Sequence, residues 1–238
     1  VFIDEIEKML AVIHGDTSGV SQDQFGEILK YMQDNACAGM IFIGPPGAAK
    51  SAVAKAAGNE AGIPTIQLDL GGMKGPYVGN SEQQTRAALK VVTSVSNGNS
   101  LWIATCNNIQ SLPPELRRRF TLGTFFFDLP TVEERKAIWK IWLAKYNLKK
   151  TGGTPDDTGW TGAEIKQCAD IAWRLNTSLS EAAKFIVPVS KSASDVIERL
   201  RSMAHDKFLS ASYEGTYKRI AEVKKDTTED RKFEFEGS

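Results

Sequence analysis

The segment Gly44-Pro45-Pro46-Gly47-Ala48-Ala49-Lys50-Ser51 decides how this chain folds. It follows a short apolar run at 40–43, which is typical of a buried strand, and it opens an Ala- and Lys-rich stretch at 48–61, which is typical of a helix. Small residues between a strand and a helix let backbone N–H groups approach a phosphate, and the helix N-terminus adds positive potential. The pattern therefore predicts a phosphate-binding loop in which Lys50 reaches the β- and γ-phosphates and Ser51 binds Mg²⁺.

One position of this loop departs from the usual pattern, because Ala49 stands where a second glycine is expected. Alanine adds a Cβ atom but tolerates ordinary backbone dihedral angles, so we expect nucleotide binding to survive. The alternative is a Gly-Pro turn before an ordinary helix. The preceding strand, the lysine and the serine together favour the phosphate loop over that alternative.

Two adjacent acids end the apolar stretch at the start of the chain, Val1-Phe2-Ile3-Asp4-Glu5. In a nucleotide hydrolase, the first such acid holds Mg²⁺, usually through water, and the second polarises the attacking water. Adjacent carboxylates also occur at helix N-termini, where they complement the helix dipole, so the pair alone has low specificity. Beside a phosphate loop, the pair indicates that Asp4 binds metal and that Glu5 is a catalytic residue.

Short apolar runs and helical segments alternate through the first half of the chain. This alternation predicts an α/β fold whose parallel sheet has helices on both faces, and the phosphate loop at 44–51 makes a P-loop NTPase sheet the expected form. From residue 132 onward the periodicity is helical only. We therefore expect a nucleotide-binding α/β domain at 1–130, a small all-helical lid domain at 131–209 and a C-terminal tail at 210–238.

The composition excludes several classes of protein. The chain has 238 residues with 29 Lys and Arg against 29 Asp and Glu, so its net charge is zero, which argues against a dedicated nucleic-acid surface. Its 42% hydrophobic content makes wholesale disorder improbable. Three widely spaced cysteines indicate a reducing compartment, and no apolar run approaches the length of a membrane helix. We expect a cytoplasmic protein without a membrane contact, although the start at Val1 suggests that an upstream segment is missing.

At this point the chain resembles the AAA clade of the AAA+ ATPases over roughly residues 1–190. The segment 44–51 is similar to Walker A, and 2–5 is similar to Walker B. The strand 101–107 resembles the sensor 1 strand, 112–120 resembles the arginine-finger segment, and 161–165 resembles the start of the sensor 2 helix. The resemblance implies an ATPase that uses ATP and Mg²⁺.

The resemblance also implies roles for individual residues. Asn107 would position the lytic water, and Arg118 and Arg119 would reach the nucleotide of the neighbouring subunit, with Arg117 in reserve. A finger of this kind implies a homo-oligomer, normally a hexameric ring. The residues implied to contact the nucleotide are Gly44, Pro45, Pro46, Gly47, Ala48, Ala49, Lys50, Ser51, Ala52, Gly162 and Ala163.

A glycine-rich segment at 74–82 resembles the first pore loop of this clade. There an aromatic side chain projects into the central channel of the ring and grips an extended polypeptide. Tyr77 fits this role because of its large contact area, and Val78 would assist it. The alternative is a tyrosine that covers the base of its own loop.

The order of the motifs differs from that of the family. There, Walker B lies between the helix after the second strand and the sensor 1 strand. Here, Asn97-Gly98-Asn99 leads directly from the helix at 82–95 into the sensor 1 strand, and the missing strand and helix stand upstream at 1–35. We interpret this as one strand–helix unit transposed within the domain, whose new connection would cross a single strand. Omitted chain segments are the alternative.

These patterns predict ATP hydrolysis coupled to the remodelling or translocation of a macromolecule, with a protein client favoured. A DNA-directed motor or loader is an alternative, and a salt-dependent affinity for DNA would favour it. A nucleotide-gated scaffold is a second alternative, against which intact Glu5 and Asn107 argue. A chaperone that reactivates an enzyme, as in the Rubisco activase type, would differ only in its client.

Overall fold

The computed structural model describes residues 1–8, 20–68, 80–97, 99–108, 112, 114–148 and 153–219. Its strands are β1 (Phe2–Ile3), β2 (Ala38–Ile43), β3 (Gln67–Leu68), β4 (Leu101–Cys106), β5 (Thr124–Phe126) and β6 (Leu209–Ser210). Its helices are α1 (Val20–Asp34), α2 (Lys50–Glu60), α3 (Asn80–Ser96), α4 (Pro114–Arg117), α5 (Val132–Lys145), α6 (Gly162–Leu175), α7 (Leu179–Ala183), α8 (Val189–Ser192) and α9 (Ser194–Ala204). Within the described ranges, no helix is both long and apolar enough to cross a membrane.

The six strands form one sheet in the order β3-β1-β4-β2-β5-β6, and all neighbouring strands are parallel. β1 lies between β3 and β4, with Phe2 opposite Gln67 on one side and Ile103 on the other. The connection from β3 through α3 to β4 therefore crosses β1. The predicted α/β class with a parallel sheet is confirmed.

Helices cover both faces of this sheet, because side chains alternate between the faces along each strand. On one face, Ile3, Ile41 and Trp102 pack in a core that includes residues from α1 and α3. On the other face, Phe2 and neighbouring strand residues pack against Ala54 of α2. Strands that are buried on both faces read as continuous apolar runs, as the runs at 40–43 and 101–105 do.

A separate core holds α5, α6 and α7 together. Trp139, Trp160 and Ile165 are buried there with small residues of α6.

Each of the two longer helices begins with a capping box, in which a threonine and the glutamate three residues later exchange hydrogen bonds. The pairs are Thr131 with Glu134 before α5, and Thr161 with Glu164 before α6. These helices form the small all-helical body that follows the sheet.

The last described segment returns from the helices to the sheet. Leu200 of α9 and Tyr217 are buried in the same core as the sheet, and β6 pairs with β5 at the sheet edge. Asp128, just after β5, accepts hydrogen bonds from Arg201 Nε at 2.9 Å and from the Tyr217 hydroxyl at 2.6 Å. The last residues of the predicted lid domain therefore pack on the sheet. The boundaries of that domain, 131–209, stay a prediction.

The three cysteines, Cys37, Cys106 and Cys168, are all free and buried. Burial raises the pKa of the Cys168 thiol to about 11. The pKa of Cys106 is raised further by burial and by the nearby Glu7 carboxylate. The thiolate is the reactive form, and a raised pKa keeps the thiol protonated. Cys106 and Cys168 are therefore poor nucleophiles in the folded protein.

We expect the folded protein to resist thiol reagents at mildly alkaline pH. In an assay with Ellman's reagent, the thiols of the native chain should react slowly, and all three should react rapidly in concentrated guanidinium chloride, where unfolding exposes them. Rapid release of one equivalent from the folded protein would contradict this expectation.

Candidate nucleotide-binding site

The predicted phosphate loop joins the end of β2 to the start of α2, and its two glycines are required by close approaches. A Cβ atom on Gly44 would lie 2.1 Å from the carbonyl oxygen of Phe127, which real structures do not tolerate. Gly47 has φ +79°, and a Cβ atom there would lie 2.8 Å from Thr161 Oγ1. Glycine is the residue that accepts both constraints.

Ala49 has a left-handed backbone conformation, with φ 66° and ψ 10°. The expectation that ordinary dihedral angles would serve at this position is therefore wrong. A left-handed conformation brings the Cβ atom of an L-residue close to the following carbonyl and costs about 1–2 kcal/mol. The loop keeps the geometry for which glycine is suited, and alanine adopts it under strain.

Lys50, the first residue of α2, is folded back onto the loop and is only 7% exposed. Its Nζ donates to the carbonyl oxygens of Gly44 at 2.7 Å and Pro45 at 2.8 Å, and to Asn107 Oδ1 at 2.9 Å. Burial lowers the pKa of Lys50 to about 8, although the charge of Glu7 and other nearby acids opposes the shift. A phosphate would offer this cation a stronger partner than neutral carbonyl oxygens.

Asp4 and Ser51 meet at the carboxyl edge of the sheet. Ser51 Oγ and Thr105 Oγ1 both donate to Asp4 Oδ1 at 2.6 Å, and the backbone N–H of Glu5 donates to Thr105 Oγ1 at 2.9 Å. Thr105 thus fixes both acids relative to β4.

The donor set at this point fits Mg²⁺. Mg²⁺ prefers hard oxygen ligands, and it is usually held by one or two side chains together with substrate phosphates and water. A hydroxyl and a carboxylate, Ser51 and Asp4, are in contact here. In the described part of the chain, no cluster of three or more His, Cys, Asp or Glu side chains offers a full protein cage.

Glu5 and Asn107 lie on neighbouring strand ends but have different partners. Glu5 has φ 49° and forms an ion pair with Lys8, and its side chain is 41% exposed. Asn107 is held by Glu7, whose Oε1 accepts from both the backbone N–H and the Nδ2 of Asn107 at 2.9 Å.

A cavity of about 800 Å³ opens between the phosphate loop and the helical body. Of the predicted residues, Asp4, Glu5, Asn107, Gly162, Ala163 and the loop from Pro46 to Ala52 line it. Gly44 and Pro45 contribute instead through the carbonyl oxygens that bind Lys50. The cavity is large enough for a nucleotide, and the small-molecule sites of proteins typically have this size.

Sequence reasoning missed several residues of this site. They are Glu7 and Thr105 beside the strand ends, and Ile138, Ile141, Trp142 and Lys166 on the helical wall of the cavity. The third acid in Asp4-Glu5-Ile6-Glu7 was a visible signal for Glu7. The wall residues carried no signal, because helical spacing alone does not say which side chains face a ligand.

The three arginines at the end of α4, Arg117, Arg118 and Arg119, differ in their surroundings. Arg117 and Arg118 are exposed. Arg119 is partly buried and donates to Gln33 Oε1 at the end of α1. Tyr77 and Val78, predicted to form the pore loop, lie outside the described residues.

Comparison with known proteins finds similarity to AAA domains over part of the chain. Residues 40–98 match the model of the ATPase family associated with various cellular activities (AAA). The chain is 28% identical to an uncharacterized AAA domain-containing protein, ycf46, of Guillardia theta, over 70% of this chain and 44% of that protein. A ycf46 protein of Pyropia yezoensis is 27% identical over 71% of this chain and 45% of its own length. The chain thus spans less than half the length of these relatives.

Among solved structures, the chain is similar to the FIGL-1 AAA domain. The sequence identity is 16%, the TM-score is 0.48, and the match covers 76% of this chain and 86% of that domain. A structure describing katanin self-assembly matches 68% of this chain with a TM-score of 0.42 and 16% identity.

We expect Ala49→Gly to stabilise the protein. Glycine adopts a positive φ without strain, and after its larger unfolded-state entropy is subtracted the free energy of unfolding should rise by about 0.5–1 kcal/mol. Ala56→Gly in the exposed interior of α2 is the matched control and should lower it by about 1 kcal/mol. Urea unfolding of the three proteins without nucleotide measures both changes, and equal destabilisation by the two substitutions would contradict the strain at Ala49.

Proposed function

We propose that this chain is an ATP-hydrolysing AAA+ domain whose turnover drives the remodelling or translocation of a macromolecule. The observation that carries the proposal is the contact network at the carboxyl edge of the sheet. It joins Lys50 to Asn107 and Ser51 to Asp4 beside a cavity of about 800 Å³. The AAA family match at 40–98 supports the same activity.

In this mechanism, Lys50 exchanges the loop carbonyls for the β- and γ-phosphates of ATP. Ser51 and Asp4 would hold Mg²⁺, which neutralises phosphate charge when bound. Glu5 accepts a proton from the attacking water, and Asn107 orients that water. The water oxygen bonds to the γ-phosphorus as the bond to the ADP oxygen breaks, which yields ADP and phosphate.

The segment that resembles Walker B stands before Walker A in this chain, whereas in the family Walker B follows Walker A. We propose that β1 and the segment after it are the Walker B unit, transposed to precede Walker A. Two observations support this. β1 lies between β3 and β4 in the sheet, and the family match ends at residue 98, directly before the segment that leads into β4.

We further propose that activity requires a homo-oligomer, with a hexameric ring as the expected form. In it, Arg118 or Arg119 would stabilise the transition state in the neighbouring subunit. The exposure of Arg118 supports its availability to a neighbour, whereas Arg119 would first have to leave Gln33. Such a residue can be worth about 10³–10⁵ in rate.

We propose a protein client, gripped by Tyr77 and Val78 in the channel of the ring. The zero net charge supports a protein over a nucleic acid. Three free, buried cysteines support a reducing compartment such as the cytoplasm.

The first test is the ATP hydrolysis rate per subunit as a function of protein concentration. We expect the specific rate to rise with concentration, because assembly completes the site. Glu5→Gln should abolish turnover and retain ATP binding, since it removes the proton acceptor and leaves the phosphate loop intact. Glu60→Gln, at the exposed end of α2, is the matched control and should behave as wild type.

A constant specific rate across all concentrations would contradict a site shared between subunits. ATP binding with no turnover at any concentration would favour the nucleotide-gated scaffold instead.

A mixing experiment tests the arginine between subunits. Arg118→Ala should lower kcat by at least about 10³, and it should leave ATP binding intact because the arginine acts on the neighbour's nucleotide. Mixing inactive Arg118→Ala subunits with inactive Glu5→Gln subunits should restore part of the activity, since some interfaces then combine an intact Arg118 with an intact Glu5. Arg119→Ala subunits are mixed with Glu5→Gln subunits in a parallel experiment, and Arg117→Ala subunits are mixed in the same way for comparison.

Absence of recovery with either arginine variant would contradict a finger supplied across the interface.

A further inference from the structure

Glu7 makes contacts with Asn107 that the proposed roles of the nucleotide site do not use. Its Oε1 accepts the Asn107 backbone N–H and the Asn107 Nδ2, both at 2.9 Å. Its Oε2 is buried and has no hydrogen-bond partner among the described residues.

The register of the sheet explains why the two residues meet. Ile3 of β1 pairs with Ala104 of β4 in a parallel ladder. The residues that follow each strand therefore emerge side by side at the carboxyl edge, Glu7 after β1 and Asn107 after β4. The contact joins residues 100 positions apart in the chain.

The partners of Asn107 fix the orientation of its side-chain amide. Lys50 can only donate hydrogen bonds and an ionised carboxylate can only accept them. Because Lys50 Nζ contacts Oδ1 and Glu7 contacts Nδ2, only one of the two amide orientations satisfies both neighbours. The oxygen of Asn107 is therefore turned toward Lys50 and the nitrogen toward Glu7.

We propose that Glu7 is a positioning residue that makes Asn107 present its oxygen, not its nitrogen, to the reacting groups. The proposal rests on the proposed ATPase function. An oxygen acceptor binds the O–H of an attacking water and repels a phosphate oxygen, whereas a flipped amide would donate to the phosphate. Glu7 thus decides that Asn107 acts on the water.

Glu5 and Glu7 have separate tasks in this arrangement. Glu5 lines the cavity, together with Asp4 and Asn107. Glu7 is not among the described residues that line it, and it acts through Asn107. The proton of the water therefore goes to Glu5, and Glu7 keeps its contacts with Asn107 throughout the reaction.

A double-mutant cycle on ATP hydrolysis tests the proposal. Glu7→Ala should lower kcat by about 10–100-fold, as loss of a supporting partner typically does, with the nucleotide Kd changed less than about threefold. Glu7→Gln should recover most of the loss, because its Oε1 still accepts from Asn107. Glu7→Ala combined with Asn107→Ala should be no slower than Asn107→Ala alone.

The Asn107 side-chain amide provides a second measurement that does not need turnover. Its ¹⁵N–¹H resonances are assigned by their loss in Asn107→Ala. We expect them to shift in Glu7→Ala and to exchange faster with solvent, and to stay closer to wild type in Glu7→Gln.

The outcomes separate the two proposals. A wild-type protein without turnover refutes the ATPase function, and the amide resonances then still decide whether Glu7 holds Asn107. A wild-type protein with turnover, in which the Glu7→Ala and Asn107→Ala losses multiply independently, refutes the positioning role alone. Unshifted amide resonances in Glu7→Ala also refute it.

Discussion

The structure depends on the insertion of a two-residue strand, β1, between β3 and β4 of a parallel sheet. Phe2 and Ile3 are buried on opposite faces, and their ladders to β3 and β4 fix the position of everything that follows them. Because the carboxyl ends of parallel strands share one edge, Asp4 arrives beside Ser51, which is 47 positions away in the chain. Without this pairing, the phosphate loop would have no carboxylate beside it.

The phosphate loop is closely packed at its two glycines, neither of which has room for a Cβ atom, and it is strained at Ala49. Gly44 is pressed against the Phe127 carbonyl, Gly47 against Thr161, and Ala49 has a positive φ. Lys50 is buried over the loop with its pKa lowered to about 8. Such strain persists only where the surrounding structure determines it, and it is characteristic of binding sites. The loop thus has its shape before a ligand arrives, and the packing of the sheet around it offsets the backbone strain at Ala49.

Much of this arrangement could be predicted from the sequence, because the decisive patterns are local. A strand, a small-residue loop and a helix are readable within about twenty residues, and the alternation of such units predicts the parallel sheet. The contacts of Glu7 and Thr105 could not be read in the same way, since they depend on the register between strands distant in the chain. The positive φ of Ala49 did have a local signal, because Ala49 stands where the loop pattern expects a glycine, but alanine ordinarily avoids this conformation. β6 is two residues long, and the returning chain is held beside it by hydrogen bonds from Tyr217 and Arg201 to Asp128, which are long-range contacts without a local pattern.

The helical body is tied to the phosphate loop through backbone as well as through the cavity wall. The N–H of Ala163, in the first turn of α6, donates to the Gly47 carbonyl at 3.4 Å, and Thr161, which caps α6, lies against the same glycine. Any displacement of this loop would have to move or break these contacts, because the atoms that form them are closely packed. Ile138, Trp142 and Lys166 face the same cavity from α5 and α6, so a molecule that filled the cavity would contact the loop and these helices together. A change in the shape of the loop would therefore reach the helical body through direct contacts.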